Sequence, residues 1–127
     1  LVVDDDAEMR SYLSNFLSAR GYAAVVAASA EDAVQRYDLD RPAAVILDLV
    51  MPGGMDGLEA LAAFKRIDRD VPVILLSGHG RTATVVQAMK LGASDFVGKP
   101  FEEQELAVPL AHAVRHRAHA REVASLR

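Results

Sequence analysis

A chain of 127 residues, 51% of them apolar and with a formal charge of −4, holds enough hydrophobic material to close one core and too much for a disordered tail. The absence of Cys excludes disulfides, zinc–thiolate centres and thiol nucleophiles, and suits a reducing compartment, so a cytoplasmic location is expected. No apolar run approaches the roughly 20 residues that span a bilayer, which excludes a membrane partner, and the acidity of the body argues against direct nucleic-acid binding by this domain.

The first element is a strand, Leu1 to Val3, too short for a signal peptide. It reads as the second half of a longer strand, with no initiating Met, so the chain is expected to be an excised piece. Asp4-Asp5-Asp6 follow it directly. Met9, Leu13, Phe16 and Leu17 then fall on one face of a helix that Gly21 can close in a left-handed cap. A strand over Ala23 to Ala28 leads to Ser29, a cap for a second helix with Asp32 in its first turn. The next strand, Ala43 to Leu47, runs straight into Asp48. Asp56 and Glu59 have capping-box spacing and open a third helix carrying Leu58, Leu61, Ala62 and Phe64. Val71 to Leu76 is a strand ending at Ser77, and a fourth helix runs from about Thr82 to Leu91, before Gly92. Phe96 and Val97 form a fifth strand, two residues before Lys99-Pro100.

The last helix carries Leu106, Leu110, Ala113 and Val114 as its apolar stripe, with Pro109 inside it. An internal proline costs about 3 kcal/mol unless the helix bends, so a kink is predicted near Glu105. From His112 onward, Arg115, Arg117, Arg121 and Arg127 stand against Glu122 alone, a basic end on an acidic body. One domain is expected over residues 1–114, with 115–127 a C-terminal helix extension or the start of a linker. Short buried strands alternating with helices imply an α/β fold, a doubly wound parallel sheet covered on both faces.

The reactive polar residues all follow apolar runs: Asp4 to Asp6, Asp48, Ser77 and Lys99. In a parallel sheet these are carboxyl ends of strands, which share one edge, and doubly wound sheets bind ligands in the crevice outside that edge. Carboxylates gathered there repel one another unless a cation neutralises them. An all-oxygen ligand set without Cys or His favours Mg²⁺, for which Mn²⁺ could substitute. A carboxylate beside such an ion is a competent nucleophile towards phosphorus. The Lys99 ammonium and the Ser77 hydroxyl can then meet the oxygens of a transferred phosphoryl group.

Val2-Val3-Asp4-Asp5-Asp6, Leu47-Asp48-Leu49-Val50-Met51-Pro52, Met55-Asp56-Gly57, Ser77 and Lys99-Pro100-Phe101 together resemble the receiver domain of two-component response regulators, over essentially the whole chain. The resemblance implies a flavodoxin-like five-stranded sheet of order 2-1-3-4-5. It further implies that Asp48 is phosphorylated by a sensor histidine kinase, and that Asp5, Asp48 and the Val50 carbonyl bind Mg²⁺ with Asp4 acting partly through water. Ser77 and Lys99 would bind the phosphoryl group, Phe96 would be the switch aromatic, and the Lys99-Pro100 bond would be cis. Such a domain is a phosphorelay acceptor, not a classical enzyme. The strand 5 and helix 4/5 face would control an output domain or protein, and a phosphorylation-dependent homodimer is a further expectation.

Ser77-Gly78-His79-Gly80 and Ala88-Met89-Lys90-Leu91-Gly92-Ala93-Ser94-Asp95-Phe96 are similar to receivers of the nitrogen-regulation class. Their output is an ATPase that activates the alternative sigma factor, and so transcription. Three features depart from the family pattern: the extra Gly54, Gly98 in place of a larger polar residue, and Pro109. Val50 and His79 flank the path of an attacking water and are expected to set the lifetime of an aspartyl phosphate. His112, His116 and His119 share one face of the last helix and read as a solvated face, with no third ligand beside them. Two other functions compete. A receiver-like module that had lost phosphorylation would not keep Asp5, Asp48, Ser77 and Lys99. A phosphatase of the aspartate-nucleophile class would need a second carboxylate at the position of Val50. A nucleotide or flavin carrier is disfavoured, because no Gly-x-Gly-x-x-Gly follows the first strand.

Overall fold

The computed structural model describes residues 1–51, 55–78 and 82–125. Five strands alternate with five helices in the order β1 (Val2–Val3), α1 (Ala7–Ala19), β2 (Val26–Ala27), α2 (Ala30–Asp40), β3 (Val45–Asp48), α3 (Gly57–Ile67), β4 (Val73–Ser77), α4 (Thr82–Lys90), β5 (Asp95–Gly98) and α5 (Glu103–Ser125). The strands pair in parallel in the order β2-β1-β3-β4-β5.

The unbroken apolar runs of β3 and β4 follow from burial on both faces, since successive side chains point to opposite sides. Val45, Leu47, Val73 and Leu75 join Ala33, Tyr37, Leu61, Phe64 and Ala88 in one cluster, the layer of α2, α3 and α4. Ile46, Ile74 and Leu76 join Leu13, Phe16, Leu106 and Leu110 in the other, the layer of α1 and α5.

Local chemistry sets the helix ends. The Asp6 side chain caps α1 by accepting from the Glu8 amide, and Ser29 does the same for α2 through Asp32. Asp56 and Glu59 form a complete capping box at α3. Gly21 and Gly92, with φ of 86° and 107°, take the left-handed turns after α1 and α4. At α2 that turn is made by Arg41 at φ 39°, whose amide donates to the Tyr37 carbonyl at 2.8 Å.

Two sequence expectations change. The strand predicted over Ala23 to Ala28 shrinks to Val26–Ala27, because this edge strand pairs only with the two residues of β1. Asp48 and Ser77 are the last residues of their strands instead of the first residues after them. α5 runs through Pro109 as one continuous helix, Glu103–Ser125. The proline ring leaves the Glu105 carbonyl without an intrahelical donor. Residue 114 lies within α5, and Arg117 beyond it is buried. No helix among the described residues is long and apolar enough to cross a membrane.

Candidate functional site

Parallel register brings the chemistry to one edge. Val3 pairs with Leu47, Asp48 with Leu76 and Ser77 with Gly98. Asp4, Asp48, Ser77 and Lys99 therefore all stand at the carboxyl ends of the four adjacent strands β1, β3, β4 and β5. The Lys99 amide donates to the Ser77 carbonyl at 2.7 Å, holding the turn after β5 against β4, and the Lys99-Pro100 bond is cis.

Within that edge the carboxylates converge. One oxygen from each of Asp4, Asp5 and Asp48 lies within 4.8 Å of the others. Asp4 and Asp48 are 1% and 6% exposed, whereas Asp5 faces solvent. Lys99 Nζ sits 3.5 Å from Asp4 Oδ2 and 3.4 Å from Asp48 Oδ2. Asp48 Oδ1 accepts from the Val50 amide at 3.2 Å, and Asp4 Oδ1 accepts from the Asp6 amide at 3.0 Å. Burial raises the Asp48 carboxyl above its ordinary value and the neighbouring Asp4 charge adds to this, partly offset by the Val50 amide and by Lys99.

Three carboxylates, two of them buried, against one ammonium leave an excess of negative charge in the crevice. The donors are all hard oxygens, and the exposed Asp5 leaves the cluster open to solvent, which fits a small hydrated divalent cation. Asp4, Asp5 and Asp48 are the residues that could hold it, with the Val50 backbone beside them.

Ser77 is 3% exposed, and its hydroxyl donates to the carbonyl of Gly78 at 3.2 Å. It stands on the same edge and, among the described residues, makes no hydrogen bond to the carboxylates. Phe96 lies on β5 two residues before Gly98 and is about half exposed. Val50 is also partly open to solvent. His79, the extra Gly54 and the neighbouring Pro52 and Gly53 lie outside the described residues, as does the side chain of His119. The rings of His112 and His116 stack 6.4 Å apart, and no His joins a three-ligand metal cluster among the described residues.

Sequence reasoning missed three supports of this site. Arg10 Nη1 donates to the Asp4 carbonyl at 2.9 Å, fixing the turn that carries the acids. The Glu31 carboxylate accepts from the Met55 amide, tying α2 to the connection between β3 and α3. Gly57 packs so closely that a Cβ there would lie 2.7 Å from the Leu49 Cα. A glycine directly after a capping aspartate was a legible signal for the last of these; the other two had none.

Residues 1–111 match the model of the response regulator receiver domain family. The chain is 38% identical over 128 residues to the nitrogen assimilation regulatory protein NtrX of Azorhizobium caulinodans, an alignment that covers 100% of this chain and 28% of that protein. It is 39% identical over 116 residues to the chemotaxis protein CheY of Listeria monocytogenes, covering 91% of this chain and 97% of that one. The crystal structure of the receiver domain of NtrX from Brucella abortus superposes with a TM-score of 0.85 at 34% identity, covering 90% of this chain and 96% of that one. The chain thus spans about a quarter of the length of the NtrX relative and nearly all of the chemotaxis relative. With the sheet order, the acidic edge and the lysine facing it, these matches establish that the chain belongs to the response regulator receiver domain family of two-component signalling.

Proposed function

We propose that Asp48 is the phosphoryl acceptor of a switch driven by a sensor histidine kinase, and that Asp5, Asp48 and the Val50 carbonyl hold Mg²⁺ with Asp4 acting through water. The observation that carries this reading is Lys99 Nζ at 3.4 Å from a buried Asp48 whose partner acids lie within 4.8 Å. A carboxylate oxygen of Asp48 forms the new P–O bond as the P–N bond of the kinase's phosphohistidine breaks. The imidazole keeps that electron pair and takes a proton from solvent. Mg²⁺, when bound, supplies positive charge against the phosphoryl oxygens. Lys99 exchanges its contacts with carboxylates for one to the phosphoryl group, so charge already aligned in a buried site is used without large reorganisation. The Ser77 hydroxyl turns from the Gly78 carbonyl to a phosphoryl oxygen.

The half-exposed Phe96 follows this rearrangement, and with it the strand 5 and helix 4/5 face, where Val86, Met89 and Leu91 are apolar side chains open to solvent. That face is where an output partner or a second phosphorylated copy docks. Likeness to a nitrogen assimilation regulatory protein over the whole chain supports a regulatory output; we take it to be an alternative-sigma-factor-activating ATPase that controls transcription in the cytoplasm. Residues 1–114 serve as the switch, and the segment from 115 leads towards the output. Val50, open beside the acceptor, sets phosphate lifetime, so Val50→Asn should change the dephosphorylation rate; an unaltered rate removes that role.

The test is incubation with acetyl phosphate and Mg²⁺ followed by intact mass measurement. A one-phosphate gain that vanishes in Asp48→Asn is expected. No gain in folded wild-type protein would indicate a module that recognises partners without phosphorylation.

A further inference from the structure

At the opposite, amino-terminal rim of the sheet, Arg117 of α5 is 5% exposed and places Nη2 2.6 Å from Asp68 Oδ2. Asp68 is the C-cap of α3, and the same oxygen accepts from the Tyr37 hydroxyl of α2 at 3.0 Å. Here α5 belongs to one layer, and α2 and α3 to the other. The guanidinium therefore reaches around the rim and ties the two layers together without passing through the sheet. Burial alone would raise the Asp68 carboxyl, but the hydrogen bonds from Arg117 and Tyr37 and the Arg117 charge outweigh it and hold the group below its ordinary value.

The fit is incomplete. Arg117 Nε and Nη1 are buried with no hydrogen-bond partner among the described residues, a standing cost that works against the ion pair. Beside them a cleft of about 420 Å³, lined by Lys65, Arg69, Ser94, Pro109 and His116, separates this part of α5 from the body. Earlier in α5, Leu106, Leu110 and Ala113 seal the helix to the core, but Arg115 and His116 face solvent. Val114 also packs against this core, and after it, among the described side chains, contact with the body passes to Arg117. Pro109 adds a missing backbone bond one turn before Ala113.

We propose that the Arg117–Asp68 pair, braced by Tyr37, is a latch that holds the distal half of α5 against the far layer and sets the direction in which that helix leaves the body. The latch closes by a narrow margin, because its two unpartnered donors offset much of the ion pair. It lies at the end of the sheet opposite the acidic edge, so opening it leaves the acceptor residues in place.

Hydrogen exchange read by mass spectrometry on the whole chain tests this directly. In Asp68→Asn and, separately, Arg117→Ala, amides over residues 114–125 should exchange roughly tenfold faster or more, with β3 and β4 unchanged and acetyl-phosphate labelling of Asp48 at the wild-type rate. Unchanged exchange over 114–125 in both variants overturns the latch. Acceleration spread through β3 and β4 in both also overturns it, since the pair would then support the whole fold.

Discussion

Replacing Gly57 by Ala probes how closely α3 is seated on the acceptor strand. The added methyl would lie 2.7 Å from the Leu49 Cα, 2.8 Å from its oxygen and 3.0 Å from its carbonyl carbon. Carbon atoms rest at about 3.5–4.0 Å, so the helix and the strand end must part by about 1 Å. All three contacts are backbone, which cannot rotate aside as a flexible side chain does. Overpacking of this kind costs about 1–3 kcal/mol, and the immobile neighbours place it in the upper part of that range. Alanine recovers at most about 1 kcal/mol of helix propensity. The net loss is then about 1–2 kcal/mol, a fall in Tm of roughly 4–8 °C for a domain of this size. Leu49 follows Asp48 directly, so the displacement should also slow labelling by acetyl phosphate. Urea and thermal unfolding measure the loss, with Gly78→Ala as control, since a methyl there meets nothing within 4 Å among the described residues. A Gly57→Ala protein as stable as the control, labelled at the wild-type rate, would refute the reasoning.

The acidic crevice and the rim pair give two further predictions. Mg²⁺ at 100 times its Kd should stabilise the wild-type fold by about 2.7 kcal/mol, visible as a higher Tm, and Asp5→Asn should lose most of that rise; equal rises in both proteins would remove Asp5 from the ion site. The Asp68 carboxyl is held below its ordinary 3.8, so its pairing stabilises the fold above that pH and the contribution fades as pH falls through the depressed folded value. The difference in urea midpoint between wild type and Asp68→Asn should therefore be largest near neutral pH and shrink below pH 3.8. A difference constant down to the acid limit would show that Asp68 acts through packing.

What could be read from the sequence, and what could not, divides along physical lines. Strands covered on both faces leave continuous apolar strings, so Val45 to Leu47 and Val73 to Leu76 announced themselves, and the polar residue ending each string marked the reactive edge. Capping chemistry is local, which is why Ser29, Asp56 with Glu59, and Gly21 gave helix ends that the fold keeps. Edge strand β2 was over-extended because its length depends on how much of β1 is there to pair with, a nonlocal quantity. Arg41 in the left-handed turn after α2 carries no glycine signal. Arg117 read as one more charge in a basic solvated segment, and only the fold brings Asp68 and Tyr37 to meet it. Pro109 was read for its local cost, and the fold shows α5 continuing past it with Leu106 and Leu110 anchored in the core.

The central claim is that phosphoryl chemistry occurs at one carboxylate, that of Asp48. Borohydride reduction of protein labelled with acetyl phosphate and Mg²⁺ converts an aspartyl phosphate to homoserine, which tandem mass spectrometry then assigns to a residue. Homoserine at position 48, absent when Lys99 is changed to Ala, is the result expected. Homoserine at position 4 or 5, or none at all in folded protein, would contradict the account.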